Sequence, residues 1–247
     1  MAQKTAYIRF YEELNDFLTP SQVKKDLPCH FYNSPSVKDL IESFGVPHTE
    51  VDLILINGEP VGFEKQIRHQ DRISVYPRFE SLDISPVSVL RGRPLRDIRF
   101  VLDVHLGKLA RYLRLCGFDT LYDNTFEDHE IVSISTSQHR VILTRDIGIL
   151  KYSMVQHGYW LRSDQPEQQL KEVIRRFDLK EQIRLFNRCM ECNGIIQPVD
   201  KQKVEDKLPE GTRKYYQEFY QCRQCGKIYW KGSHYYNMIK RIDRLIG

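Results

Sequence analysis

Two hydrophobic rhythms run along this chain, and the place where one gives way to the other divides it. Over roughly the first 80 residues the period is mostly two. TAYIRFY (5–11) alternates apolar and polar side chains as a half-buried strand does, and a weaker strand lies near Cys29–Tyr32. VDLILING (51–58) reads as a strand running into the turn dipeptide Asn57-Gly58, and DRISVYP (71–77) as a last strand stopped by Pro77. Between them Val37, Leu40, Ile41 and Phe44 recur at helical spacing, with Ser36 as the cap, Asp39 three residues on and Gly45 as the stop.

Strand–strand–helix–strand–strand is the β-grasp, or ubiquitin-like, order, here over residues 1–80. Residues 81–97, SLDISPVSVLRGRPLRD, carry two prolines and no clear period, as a linker does. From residue 98 the pattern changes to short apolar runs alternating with helical stretches. IRFVLD is followed by a helix from about Leu106, FDTLYD by a helix over 128–138, RVILTRD by a helix from about Ile147, and YWLRSD by a helix near Pro166. That alternation predicts an α/β domain with a parallel sheet over 98–182, leaving a cysteine-bearing module over 183–247.

Parallel topology gives the acidic residues a meaning. Asp103, Asp123, Asp146 and Asp164 each follow a strand-like run, so the fold would bring them to the carboxyl edge of one sheet, although they span 61 residues. Asp128 and Glu130 open the intervening helix beside that edge. Clustered carboxylates repel unless a cation joins them, and hard oxygen ligands suit Mg²⁺ or Mn²⁺. Such a site activates water against a phosphodiester. The plainer alternative is that each Asp caps the helix behind it. Thr144 and Arg145 sit beside Asp146 and could address phosphate, while Asp123 reads equally well as a turn residue. In the helix after Asp103, Leu106, Leu109, Ala110 and Leu113 face the core, and Lys108, Arg111 and Arg114 form a basic stripe that could do the same.

Charge agrees with this division. Residues 1–88 hold 9 Lys/Arg and 13 Asp/Glu, whereas residues 89–247 hold 28 and 20, so the excess suited to a polyanion lies in the larger part. No 18-residue apolar run exists and the N-terminal MAQKTAYIRFYEEL has no apolar signal core, which points away from a membrane and to a cytoplasmic protein.

Four of the six cysteines form Cys189-x-x-Cys192 and Cys222-x-x-Cys225, with 29 residues between the inner pair. Two such knuckles complete a tetrahedral Cys₄ site for a structural zinc; rubredoxin-type iron takes the same ligands, and two disulfides are a further pairing. Cys29 and Cys116 read as small packed hydrophobes. Around the knuckles, Tyr215, Tyr216, Phe219, Tyr220, Tyr229, Trp230, Tyr235 and Tyr236 stand among Lys and Arg, a composition suited to stacking on unpaired bases, with Tyr229 and Trp230 assigned to the core and Lys231, His234 and Tyr235 to the surface.

Two resemblances sharpen these expectations. ILINGEPVGFEKQIRHQDRISVYP resembles the sulfur-carrier (ThiS/MoaD-like) branch of the β-grasp fold, but those carriers act through a terminal Gly-Gly, and no Gly-Gly occurs in this chain. A binding or positioning module, with a protein partner, is what remains. FVLDVHLGKLARYLRLCGFDT, RVILTRD, RCMECNG and FYQCRQCGKIYWKGSHY together resemble the Mut-seven C-terminal ribonuclease-domain family, a PIN-like nuclease fold followed by a zinc ribbon, of which some members carry a ubiquitin-like N-terminal domain. The resemblance implies a ribonuclease acting on RNA, expected to be single-stranded, with Asp103, Asp128 (beside Glu130), Asp146 and Asp164 at the acidic positions. Its rival is a non-catalytic RNA-binding adaptor using the ribbon and the basic face. A phosphohydrolase with an aspartyl nucleophile is disfavoured, because Asp103-Val104-His105 lacks the second Asp at +2.

Overall fold

A computed structural model describes residues 2–77, 89–90 and 97–246. Most of the expected 81–97 linker therefore lies outside the described residues. Strand β1 (Lys4–Phe10), β2 (Leu27–Phe31), helix α1 (Val37–Ser43), β3 (Val51–Ile56), β4 (Glu59–Pro60) and β5 (Arg72–Pro77) come first. They are followed by β6 (Phe100–Leu102), α2 (Gly107–Leu115), β7 (Thr120–Leu121), α3 (Asp128–Gln138), β8 (Val141–Thr144), α4 (Ile147–Leu150), β9 (Gly158–Trp160) and α5 (Pro166–Arg176). The last part holds β10 (Ile196–Val199), α6 (Glu210–Tyr215), β11 (Phe219–Cys222), β12 (Ile228–Trp230) and α7 (Ser233–Ile246). Among the described residues no helix is long and apolar enough to cross a membrane.

The chain forms two compact units. The first contains residues 1–97 together with 135–138 and 144–160. Its five strands run in the order β2-β1-β5-β3-β4, with first strand β1 parallel to last strand β5 (Ile8 opposite Ile73) and the other neighbours antiparallel. This is the ubiquitin-like sheet. Alternation in β1 puts Ala6, Ile8 and Phe10 inside, where they meet Val37 and Ile41 of α1 in one buried cluster. Ser36 caps α1 as its sequence context predicts: its hydroxyl accepts the Asp39 N–H at 3.1 Å and donates to the Asp39 carboxylate at 2.7 Å. The β3–β4 turn uses Asn57 and Gly58, both at positive φ (56° and 91°), as a tight hairpin requires.

The second unit contains residues 98–134, 139–143 and 161–247. Strand β6 lies between β7 and β8 and is parallel to both, with Leu102 opposite Leu143. Phe100, Val101 and Leu102 are all fully buried, which is why this strand reads as an unbroken apolar run rather than an alternating one. Leu109, Ala110 and Leu113 of α2 and Leu170 and Val173 of α5 are buried, and the two helices pack together. Phe100 meets Phe118 and Phe177 edge-on at centroid distances of 6.3 and 5.7 Å. A three-stranded antiparallel sheet, β10-β11-β12, carries the cysteine module. Cys29 and Cys116 are buried hydrophobes, and burial pushes their thiols up to about 11 and about 12.

Two expected elements are shorter than their sequence patterns. FDTLYD contributes only Thr120 and Leu121 to the sheet, because Tyr122 turns away to donate its hydroxyl to the Val104 carbonyl at 2.9 Å. The helix expected from Ile147 is a single turn of four residues.

The Ser36 cap yields a simple test. Ser36→Ala removes the acceptor for the Asp39 amide and should lower stability by about 1 kcal/mol in urea titration, with an unchanged slope.

Candidate metal centre and strand-end carboxylates

The two cysteine knuckles have matching backbones. In the first, Cys189 N–H donates to the Gly194 carbonyl at 2.7 Å and Asn193 N–H to the Cys189 carbonyl at 2.9 Å. In the second, Cys222 N–H donates to Lys227 at 2.9 Å and Gly226 N–H to Cys222 at 3.1 Å. Asn193 and Gly226 follow the second cysteine of each knuckle and take the left-handed conformation, at φ 68° and 74°. Pairing of β10 with β11 sets Ile196 opposite Cys222 and so draws the knuckles together. The four Sγ atoms lie within 4.8 Å of one another, with Cys189–Cys225 at 3.6 Å and Cys192–Cys222 at 3.4 Å.

Those spacings suit a shared metal ion better than disulfides. Sulfurs about 2.3 Å from one central ion stand roughly 3.8 Å apart by tetrahedral geometry. A disulfide needs about 2.05 Å. All four thiols are free, so the cluster can bind a metal such as zinc, and four protein ligands leave no position open for substrate. Burial works against ionisation of Cys189, but the Tyr229 hydroxyl at 3.0 Å and the amides of Cys192 and Glu191 outweigh it and bring that thiol down to about 7. Cys192 is pushed up to about 12, chiefly by burial.

The first knuckle is tied to the parallel sheet by three residues. Arg114, expected on an exposed basic stripe, is buried instead: its guanidinium donates to the carbonyls of Thr120 at 2.9 Å, Met190 at 3.2 Å and Glu191 at 2.7 Å. Carbonyl acceptors from Thr120 and from the knuckle satisfy its guanidinium inside the protein. Asn193 accepts the Thr120 N–H at 3.0 Å and donates to the Asp119 carboxylate at 2.8 Å. Asp119 also pairs with buried Arg140 at 2.7 Å and with Arg188 at 3.3 Å. Burial opposes its ionisation, but the bonds from Arg140 and Asn193 prevail and hold its carboxyl below the usual carboxylate range. Nothing in GFDTLYD distinguishes Asp119 from a turn residue, so this network is invisible in the sequence.

Arg111 reaches the same knuckle from outside, pairing with Glu191 at 2.9 Å; Lys227 meets the other Glu191 oxygen at 2.7 Å. Lys108 remains exposed beside Tyr112, Gln165, Glu167 and Arg241, around a groove of about 600 Å³. Arg241 in that groove binds Glu167 and lies over the Tyr112 ring at 5.8 Å.

The acidic residues occupy unlike positions. Asp103 directly follows β6, is 8% exposed, and makes no side-chain cap hydrogen bond to the turn that follows it. Its N–H donates to the Leu143 carbonyl at 3.1 Å, extending the β6–β8 ladder by one step. Asp128 and Glu130 lie exposed in the first turn of α3. Asp146 is exposed and accepts the Gly148 N–H at 2.7 Å, capping α4. Thr144 is fully buried, and its hydroxyl accepts the Asp146 N–H at 2.8 Å, so it shapes the turn from within. Arg145 between them is exposed. Asp164 is exposed and accepts from the Gln165 side chain at 3.2 Å, while Gln165 takes the cap position of α5. Asp123 is a turn residue, accepting the Thr125 amide at 3.0 Å and hydroxyl at 2.7 Å. Among the described residues, the four cysteines are the one group of three or more potential ligands drawn within 4.8 Å of one another.

The aromatic and basic residues of the ribbon follow expectation in part. Tyr229 packs against the thiols, and Trp230 against Val204, Leu208 and Phe219, both as expected. Lys231 is not a free surface cation: it pairs with Glu218 at 3.1 Å and lies over Tyr220 at 5.7 Å. Tyr235 is half-buried and packs on Phe186 at 4.3 Å, whereas His234 is exposed.

Comparison with known families gives two matches. The family model described as the Mut7-C RNAse domain matches residues 98–242, and the one described as Mut7-C ubiquitin matches residues 3–83. No curated protein and no solved structure matches the chain.

The Asp119 network makes a pH-dependent prediction. Asp119→Ala removes a carboxylate shared by Arg140, Arg188 and Asn193 and should destabilise the protein by about 3 kcal/mol at pH 7. Because the folded-state carboxyl is held low, its contribution is complete above the unfolded value of about 4 and fades as the pH falls below it. Wild type and variant should therefore differ in melting temperature at pH 7 and converge in acid.

Proposed function

Because the chain belongs to the Mut7-C RNase-domain family, whose domain model gives it a nuclease-type, RNA-related function, we propose that it hydrolyses RNA phosphodiester bonds with Mg²⁺ or Mn²⁺. The observation that carries this reading is Asp103, a buried carboxylate at the end of the central parallel strand β6. What supports its role is its place, a carboxylate at the carboxyl end of a parallel strand, where ligands of such sheets bind. Asp103, Asp128 and Asp146 are the proposed metal-holding acids, with Asp164 as a further acid. These hard oxygen donors fit Mg²⁺ or Mn²⁺, and one or two protein carboxylates suffice where water and phosphate oxygens complete the shell. When bound, the ion supplies an activated water and neutralises charge on the reacting phosphate. Lys108, Arg111 and Arg145 hold phosphates of the RNA strand, and Thr144 fixes the turn that presents Arg145 and Asp146.

The Cys₄ set fits zinc by donor type and sulfur spacing. The ribbon has only small buried clusters, such as Val204, Leu208 and Phe219, so metal binding supplies much of its folding free energy. The aromatic and basic residues of the ribbon suit unpaired bases, and hence single-stranded RNA. A cytoplasmic setting accords with four free thiols kept for metal.

One observation favours the rival, an RNA-binding adaptor without catalysis: Asp146 already caps α4 through the Gly148 amide. Labelled single-stranded RNA incubated with the protein in Mn²⁺ or in EDTA separates the two. The ribonuclease reading expects EDTA-sensitive cleavage that falls by about two orders of magnitude or more in Asp103→Asn and Asp146→Asn, with RNA affinity preserved. RNA binding without cleavage in Mn²⁺ would establish the adaptor.

Metal analysis of the purified protein should find one zinc per chain. Cys225→Ser should lose it, and in hydrogen exchange the 183–247 region should open while β6 stays protected. Full zinc retention in that variant would refute a Cys₄ site.

A further inference from the structure

The first compact unit includes residues 144–160, although the ubiquitin-like sheet ends at Pro77. The segment that follows Asp146 is fastened to the ubiquitin-like domain by side chains of one short turn, His48–Glu50, between α1 and β3. His48 Nε2 stands 2.8 Å from the Val155 carbonyl, across 107 residues of sequence. A carbonyl can only accept, so Nε2 carries the proton and donates. Nδ1 of the same ring faces the Glu42 carboxylate at 2.6 Å, and Phe63 packs edge-on against the ring at 5.7 Å. The imidazole is thus held on three sides and is 8% exposed.

Glu50 supplies a second tie. Its side chain is buried at 1% exposure, and Oε1 accepts the Trp160 N–H at 2.7 Å. Trp160 in turn donates its indole N–H to the Arg145 carbonyl at 3.2 Å and packs on Phe17 at 4.9 Å. The backbone is close-packed here as well: a Cβ at Gly158 would stand 2.4 Å from a Leu150 methyl carbon. Residues 145, 155 and 160 are each held directly or through one neighbour by groups of the N-terminal domain. Burying a carboxylate and an imidazole is unfavourable unless they are hydrogen-bonded, and here the partners are main-chain atoms of this segment.

We propose that the ubiquitin-like domain is a positioning element acting within the chain: through His48 and Glu50 it fixes the 145–160 segment and so the placement of Arg145 and Asp146. The functional half of this inference rests on the ribonuclease reading, whereas the positional half does not. His48 and Glu50 are positioning residues and touch no substrate.

Hydrogen exchange on the full-length, zinc-loaded protein, followed by mass spectrometry, reads the positional half without any need for activity. In Glu50→Ala and His48→Ala, amides of 145–160 should exchange at least tenfold faster, with β1 and β6 still protected. Glu50→Gln keeps an accepting oxygen for the Trp160 N–H and should restore most of the protection. In the cleavage assay the two alanine variants should lose kcat with little change in KM for a short RNA, and Glu50→Gln should recover it. Unchanged exchange of 145–160 in the His48→Ala/Glu50→Ala double variant would overturn the proposal. So would equal loss of protection throughout β1, which would mean the pair supports the whole N-terminal fold. If the wild-type protein cleaves nothing, the ribonuclease reading falls and the exchange result alone decides the positional claim.

Discussion

Parallel pairing of β6 with both of its neighbours is the constraint from which the functional account follows. A parallel sheet sends every strand end to the same edge, and each connection must then climb back as a helix. Asp103 leaves β6 at that edge, and the Asp103 amide continues the ladder to Leu143. Full burial of Phe100–Leu102 prevents the register from slipping, because a one-residue shift would drive Asp103 into the apolar interior. The position of the acid is therefore set by the hydrophobic run in front of it.

Some of this is legible in the residues alone, and the reason is locality. The Ser36 cap, the Asn57-Gly58 turn and the two cysteine knuckles are each encoded within a few consecutive residues, and each forms as its pattern requires. Asp146 and Asp103 look alike in sequence, each following an apolar strand. Asp146 caps its helix through the Gly148 amide, whereas Asp103 makes no side-chain cap bond, and nothing in the residues themselves separates the two. Arg114 shows the opposite failure. Its i, i+3 spacing from Arg111 places it on a basic stripe, yet it is buried against carbonyls about 76 positions away, and carbonyls leave no trace in residue identity. Asp119, His48 and Glu50 are hidden for the same reason: their partners are distant or belong to the main chain.

The two metal questions differ in kind. The ribbon cysteines are brought together by antiparallel pairing and by paired left-handed residues, so their geometry is complete without reference to substrate. Among the described residues the strand-end acids do not form a close trio of ligands, so a cation held there would need water and phosphate oxygens for most of its shell. The ribbon is joined to the parallel sheet through Arg114, Asp119 and Asn193. The segment after Asp146 is tied, within its own unit, to the ubiquitin-like domain through His48 and Glu50.

Binding of Mn²⁺ to the zinc-loaded, full-length protein, followed by electron paramagnetic resonance, tests the central claim most directly. Titration of wild type and Asp103→Asn side by side should show Mn²⁺ taken up by the wild type and that uptake lost or greatly weakened in the variant, with zinc content equal in both. Identical Mn²⁺ binding by the two proteins, or none by the wild type, would contradict a divalent-metal site built on the buried aspartate at the end of β6.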